Sequence, residues 1–229
     1  MFPSRNPVRH VRRSAMLMVA GSALLLAGFL LHPAEYVDSS KTAQSIADHA
    51  GTWALAHWLL AIGGLALAVA AGILAKARYG PTRHPFGRVA WAALAVSAML
   101  AIEIFVLEAT VAVSYGKAGN ATGLQNLMVP EIPGIIGLFG LSAAGAAVFV
   151  QQTLDDCPLL PKAVNAIAAL GAITGLVGTT AFGLGSDALA TLQYGTGVLL
   201  LGLMALGIRA LVESSPRRTA APSNQPKLG

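Results

Sequence analysis

Two glutamates, Glu103 and Glu108, sit inside a stretch that otherwise reads as lipid-soluble helix, residues 89–115. An ionised carboxylate near the middle of a bilayer costs about 2.5–3.5 kcal/mol on insertion scales. Such a group needs a bundle interior, a partner or a proton. His57 and Glu131 are the other candidates. His57 lies five residues into the second apolar stretch, about 8 Å below its boundary at 1.5 Å per residue. Glu108 is about 10 Å below Tyr115 on the same scale, and Glu103 is about 18 Å below it, near the midplane. Glu131 opens the fourth stretch. All four belong to one half of the membrane, and Asn165 alone stands out in the other half.

Spacing predicts where these groups face. His57, Ala61, Gly64, Ala68 and Ala71 form one helical stripe of mostly small residues, the composition of a helix–helix contact in lipid. His57 is therefore expected to point into a bundle. Glu103 shares a face with Thr110 and Ser114, and Glu108 shares another with Ser97. The two acids lie about 140° apart around the helix. Both escape lipid only if the third span has neighbours on most sides, so that span is expected to be central.

Three chemistries compete for these residues. As structural groups, protonated acids tie helices together, because burial disfavours the charged carboxylate. As a relay, Glu103, Glu108 and His57 handle protons or cations, with Glu103 as the deep, switchable acid. As ligands, His57, Glu108 and Glu131 hold a metal. Glu131 also reads as a helix-start residue, since Pro133 suits a first turn and an acid there complements the helix dipole. His32 and His49 read as interfacial, although a metal site would have to join His57 to Glu108, Glu131 or His32 from other helices. His49 and His57 are about 12 Å apart along one helix and cannot share one zinc.

No enzyme signature accompanies these residues. There is no H-E-x-x-H, Cys pair, G-x-S-x-G or P-loop, and no second deep histidine for a bis-histidine haem. No metal ligand set and no cofactor is assigned, and an enzyme is the less favoured reading.

The elements that must carry these groups are membrane spans. The 229 residues are 55% hydrophobic and 11% charged, against about 25% charged for a soluble domain. The mean hydropathy is +0.66. About 20 apolar residues cross the hydrocarbon core, and six blocks qualify: 14–31, 52–75, 89–115, 127–150, 162–182 and 188–212. The fold class is all-α, a polytopic transmembrane bundle of six helices. Residues 1–13 form a basic arm, 14–212 the membrane domain and 213–229 a cytoplasmic tail, with arm and tail disordered.

Charge sets the expected orientation. With the N-terminus inside, Arg5, Arg9, Arg12, Arg13, Lys76, Arg78, Arg83, Arg88, Lys162, Arg209, Arg217, Arg218 and Lys227 are cytoplasmic, which is 13 of the 15 basic residues. Only Lys41 and Lys117 fall outside, so both termini are expected in the cytoplasm. The net charge of +5 is then a topology signal, with lipid headgroups as partners and no basic face for nucleic acid. Arg12 and Arg13 precede an apolar run longer than a signal-peptide core with no clear cleavage site after it, so it reads as an uncleaved first span.

The lone Cys157 can form neither an internal disulfide nor a thiolate metal site. The connection 32–51 contains a helix expected to start near Lys41 with Ser39 or Ser40 as its cap. Trp53 and Trp58 suit the outer interface, and Tyr79 and Trp91 the inner one. The Gly171-x-x-x-Gly175 pair marks close helix packing. The expected function is a small integral protein of the cell membrane with an outward-facing polar pocket (Glu103, Glu108, His57, Glu131) that handles protons or cations as a transporter or sensor. The alternatives are a structural or accessory subunit of a membrane complex, including a homo-oligomer, and a membrane-embedded metalloenzyme.

Overall fold

The computed structural model describes residues 7–36, 38–77, 84–156, 158–186 and 191–214. Expectations placed on Cys157, Tyr79 and the tail beyond Ser214 lie outside the described residues. Helix α1 is Pro7–Leu31 and α2 is Ser39–Ala77. Helix α3, Pro85–Leu107, runs on through a π-helical turn, Glu108–Ala112, into α4, Val113–Lys117. A short α5, Ala121–Leu127, leads to α6, Ile132–Leu154. Then follow α7, Lys162–Gly183, a 3₁₀ turn, Thr191–Tyr194, and α8, Gly195–Glu213. Among the described residues, six helices are long and apolar enough to cross a membrane, the mark of a multi-pass membrane protein.

Local chemistry starts and stops these helices. Pro7 opens α1, so Arg9, Arg12 and Arg13 of the basic arm ride on helix rather than disordered chain. At α2 the cap is Asp38, not Ser39 or Ser40. The Asp38 carboxylate accepts from the Ser40 N–H at 2.8 Å, and its carbonyl accepts from Thr42 N–H at 3.0 Å. Pro85 begins α3, with His84 Nδ1 accepting from Phe86 N–H at 3.2 Å. Asn120 caps α5 through Gly123 N–H at 2.8 Å. Within α2, His49 leaves helical geometry (φ −126°, ψ 26°) and kinks the helix between its ten-residue start and its membrane span.

The six long helices form a closed ring in chain order, α1–α2–α3–α6–α7–α8, and α8 packs back on α1. The third span therefore has two long neighbours, α2 and α6, and is not central as the facing argument required. The ring interior is filled by one apolar cluster that includes Leu67, Trp91, Leu94, Phe149, Leu199 and Leu203. Trp91 is fully buried there rather than lying at an interface.

Small residues set the helix spacings. A Cβ at Gly63 would stand 2.8 Å from the Gly21 carbonyl oxygen, so α1 and α2 touch backbone to backbone. Gly171 and Gly175 meet Val198, Gly195 and Thr196 at the start of α8, the close packing their spacing implies. The His57 stripe is likewise a contact face. Ala61, Ala68 and Ala71 are buried, and Gly64 faces Ile102 and Ala98 of α3.

Candidate functional site: a histidine pair beside three carboxylates

The site lies at the end of the bundle away from the chain termini, where α1 ends, α2 bends and α3 becomes π-helical. Helix α1 stops at Leu31 because His32 precedes Pro33, and a residue before proline avoids the α region. His32 is thus delivered just beyond the helix end. His57 reaches the same place from α2, 95% buried, one turn beyond Trp53. The two Nε2 atoms stand 3.2 Å apart.

The other ring nitrogens are committed to carbonyls. His32 Nδ1 lies 2.6 Å from the Pro33 oxygen, and His57 Nδ1 lies 2.9 Å from the Trp53 oxygen. A carbonyl only accepts, so each Nδ1 is the donor and carries the proton. Each neutral ring then has its lone pair on Nε2.

Trp53 organises the cluster. Its indole is completely buried, with ring centroids 4.7 Å from His32 and 5.3 Å from His57. Its Nε1–H donates to Glu108 Oε2 at 3.1 Å. Phe105, one helical turn before Glu108, places its ring 6.5 Å from His57. Trp53 is therefore part of the site and not the interfacial anchor expected.

Glu108 is the first residue of the π turn. Such turns recur at functional sites because the extra residue re-aims the side chains around it. Its carboxyl lies near enough to that of Glu131 for each to affect the charge of the other. Glu131 is the N-cap residue of α6, as its sequence position suggests, and its carbonyl accepts from Ile135 N–H at 2.9 Å, but its side chain is only 6% exposed and makes no capping bond. One of its oxygens, Oε1, has no hydrogen-bond partner. Glu35, in the loop after α1, completes the group, near enough to act electrostatically on both Glu108 and Glu131.

Electrostatics at the loop residues follow from crowding. Burial lowers the affinity of His32 for a second proton, against the opposing pull of the Pro33 carbonyl. Burial pushes the Glu131 carboxyl up; the neighbouring Glu108 side chain opposes the rise and the Glu35 charge adds to it. Glu35 moves up as well, through surrounding protein and then the Glu108 charge. A good part of the Glu35 surface is open to solvent.

An apolar roof covers the cluster. Ile46, Trp53, Ala112 and Leu127 pack together, with Val111, Val113 and Leu124 beside them. Gly116 lets α4 approach Ile46 closely, and Gln125 donates to Ser39 Oγ at 3.0 Å, tying α5 to α2. The arrangement is a packed, roofed cluster.

Of the four residues singled out from sequence, the structure brings together His57, Glu108 and Glu131. It does not bring in Glu103, which is exposed on the outer face of α3 along with Thr110 and Ser114. With neighbours on only two sides, α3 cannot bury two acids about 140° apart. Sequence reasoning missed Glu35 altogether and gave His32 and Trp53 interfacial roles. The signals for them were a His-Pro-x-Glu run closing a span, and the four-residue spacing of Trp53 and His57 on one helical face.

Among the described residues, no three His, Cys, Asp or Glu side chains are already arranged to enclose a metal ion. No known protein family, curated protein or solved structure matches the chain.

Proposed function

We propose that this is a multi-pass protein of the cell membrane that binds a cation, proton or metal, at the His32–His57 pair and its carboxylates. Both termini are placed in the cytoplasm on the strength of the basic residues, so the site faces outward. The observation that carries the reading is the 3.2 Å separation of two Nε2 atoms whose rings already hold their protons on Nδ1. Two lone pairs at that distance repel, and a positive charge between them turns repulsion into binding. The buried acids alongside supply the countercharge.

The reading favours sensing or gated uptake at one end over a continuous conduction path. From His57 inward, the buried α2 and α3 residues are apolar apart from the Ser97 hydroxyl and the Trp91 indole N–H, too few for a continuous proton path. The kink at His49 and the π turn at Glu108–Ala112 are where the helices flanking the cluster depart from regular geometry. A bound cation stabilises the folded protein by about 2.7 kcal/mol at 100 times its dissociation constant. Thermal unfolding of purified protein in detergent, followed against acidification and against added metal salts, tests the proposal. At least one should raise the melting temperature in wild type and raise it clearly less in His57→Asn. A melting temperature indifferent to both, or an unchanged response in the variant, removes the reading.

A second reading rests on a different observation. Glu103, Thr110 and Ser114 form an exposed polar stripe on a membrane helix, as expected of a face covered by a partner or a second copy in a membrane complex. Cysteine cross-linking from position 114 in native membranes tests it, and the absence of any cross-linked species counts against it.

A further inference from the structure

The cation-binding reading leaves the ion open, and resting on that reading we infer that the site takes a divalent transition-metal ion, with His32 Nε2 and His57 Nε2 as two of its ligands. Two nitrogens each about 2.0–2.1 Å from a tetrahedral zinc stand about 3.3 Å apart. The observed separation is 3.2 Å, which is the edge of such a tetrahedron. Each histidine also donates its remaining N–H to a backbone carbonyl. That is the usual way in which the ring of a metal-binding histidine is oriented and its tautomer fixed.

The remaining positions fall to carboxylates. Glu131 is 6% exposed, and its Oε1 has no partner. A buried carboxyl oxygen left without a donor is costly unless something positive reaches it. Glu108 holds one oxygen on Trp53 Nε1, and the same indole packs against both imidazoles. Two imidazoles and two carboxylates around a divalent ion leave no net charge in a low-dielectric setting. Imidazole ligands favour zinc, copper, iron or nickel over magnesium or calcium.

No three of these groups enclose an ion as they stand, so binding must draw a carboxylate of Glu108 or Glu131 toward the histidine pair. The competing occupant of the pair is a single shared proton, which needs no carboxylate movement.

The test uses the full chain in mild detergent, stripped with chelator and titrated with zinc and with cobalt(II). One ion per chain and visible cobalt bands of a tetrahedral nitrogen–oxygen site are the expected results. His32→Asn and His57→Asn should each weaken binding by more than ~100-fold, beyond the 10–100-fold typical of residues that only orient ligands. Glu131→Gln and Glu108→Gln should weaken it and alter the cobalt spectrum, and Glu103→Gln should change nothing. Circular dichroism and the melting temperature of each metal-free variant separate loss of a ligand from loss of fold. Substoichiometric metal, or binding indifferent to both histidine variants, overturns the metal assignment. If acidification in that case stabilises wild type clearly more than His57→Asn, the pair holds a proton and the broader reading stands. If neither response exists, both fall.

Discussion

The two ends of the bundle bury polar groups in different ways. At the end carrying the termini, the buried polar side chains are amides and hydroxyls whose partners lie mostly nearby in the chain. Gln152 donates to Gln151 and accepts from Leu159 N–H, and Asn165 donates to the Leu160 carbonyl. Ser14 crosses to the Ala70 carbonyl. These bonds fasten the turn between α6 and α7 and pin α1 to α2. At the far end Thr42 fastens a turn in the same way, through Tyr36, but beside it stand buried and half-buried imidazoles and carboxyls, drawn from the ends of α1 and α3, from α2 and from the start of α6. None of their partnerships shapes a turn beyond the two carbonyl bonds of the histidines. Local amides explain themselves as structure. Titratable groups gathered from four segments, at greater electrostatic cost, call for a ligand.

A matched pair of tryptophans is the strongest way to break this contrast. Trp53 and Trp91 are both completely buried, one at each end. Trp53 Nε1 serves Glu108, whereas Trp91 Nε1 has no partner. Replacing either with phenylalanine removes similar volume. Trp53→Phe also leaves a shielded carboxyl oxygen without its donor, adding about 1–3 kcal/mol. Thermal unfolding of the two variants should show Trp53→Phe as the more destabilised by that margin and as the one that loses its response to metal. Equal losses would mean that Trp53 only fills space and that the far end is ordinary packing.

What the sequence makes legible follows the same division. The six spans were readable because apolar length is a local property, and the observed helices cover the same six stretches. The His57 stripe was readable because small residues at helical spacing mark a contact face. The gathering of the site was not, because it depends on how helices close into a ring. Whether Glu103 or Glu108 turns inward depends on which neighbours α3 acquires. Glu131 is the helix-start acid its position suggests, and only the packing of the bundle buries its side chain. Trp53 looks like an interfacial anchor until α4 and α5 fold over it as a roof. Glu35 gives only a faint sign, the His-Pro-x-Glu run at the end of a span, since a loop glutamate beside a span end reads as an ordinary solvent-facing residue.

Acid–base behaviour sharpens the contrast at a smaller scale. The Glu131 carboxyl is raised from 4.5 to about 7 in the folded protein. The folded state therefore holds a proton that the unfolded chain releases. This stabilisation is fully present below pH 4.5 and is lost as pH rises through about 7. Metal-free protein should lose stability on the order of 1 kcal/mol over that window, and Glu131→Gln should flatten the slope. A slope that persists unchanged in Glu131→Gln belongs to some other group.

The terminus-proximal end supplies the opposite expectation. Asn165→Ala removes one hydrogen bond to the Leu160 carbonyl and should cost about 1 kcal/mol. Because no titratable group of the far cluster is involved, the loss should be the same with and without metal. A metal-dependent loss at Asn165 would show that the two ends are coupled through the apolar interior, and the division between them would have to be redrawn.

The smallest effect is expected at the most conspicuous residue. Glu103 is an acid near the middle of a membrane helix, which makes it the natural candidate for a relay. Its side chain nevertheless lies on the exposed face of α3, on the far side from Glu108. It has no route to the histidine pair that does not pass around the helix. Glu103→Gln should therefore shift the melting temperature only by what a surface substitution does, within about 0.5 kcal/mol. Zinc affinity and the cobalt spectrum should be unchanged. The same substitution in native membranes is informative in a different way, because loss of a cross-link through position 114 would place Glu103 in a contact with another chain. An altered metal affinity would instead require α3 to rotate on binding, so that the face now turned outward reaches the cluster.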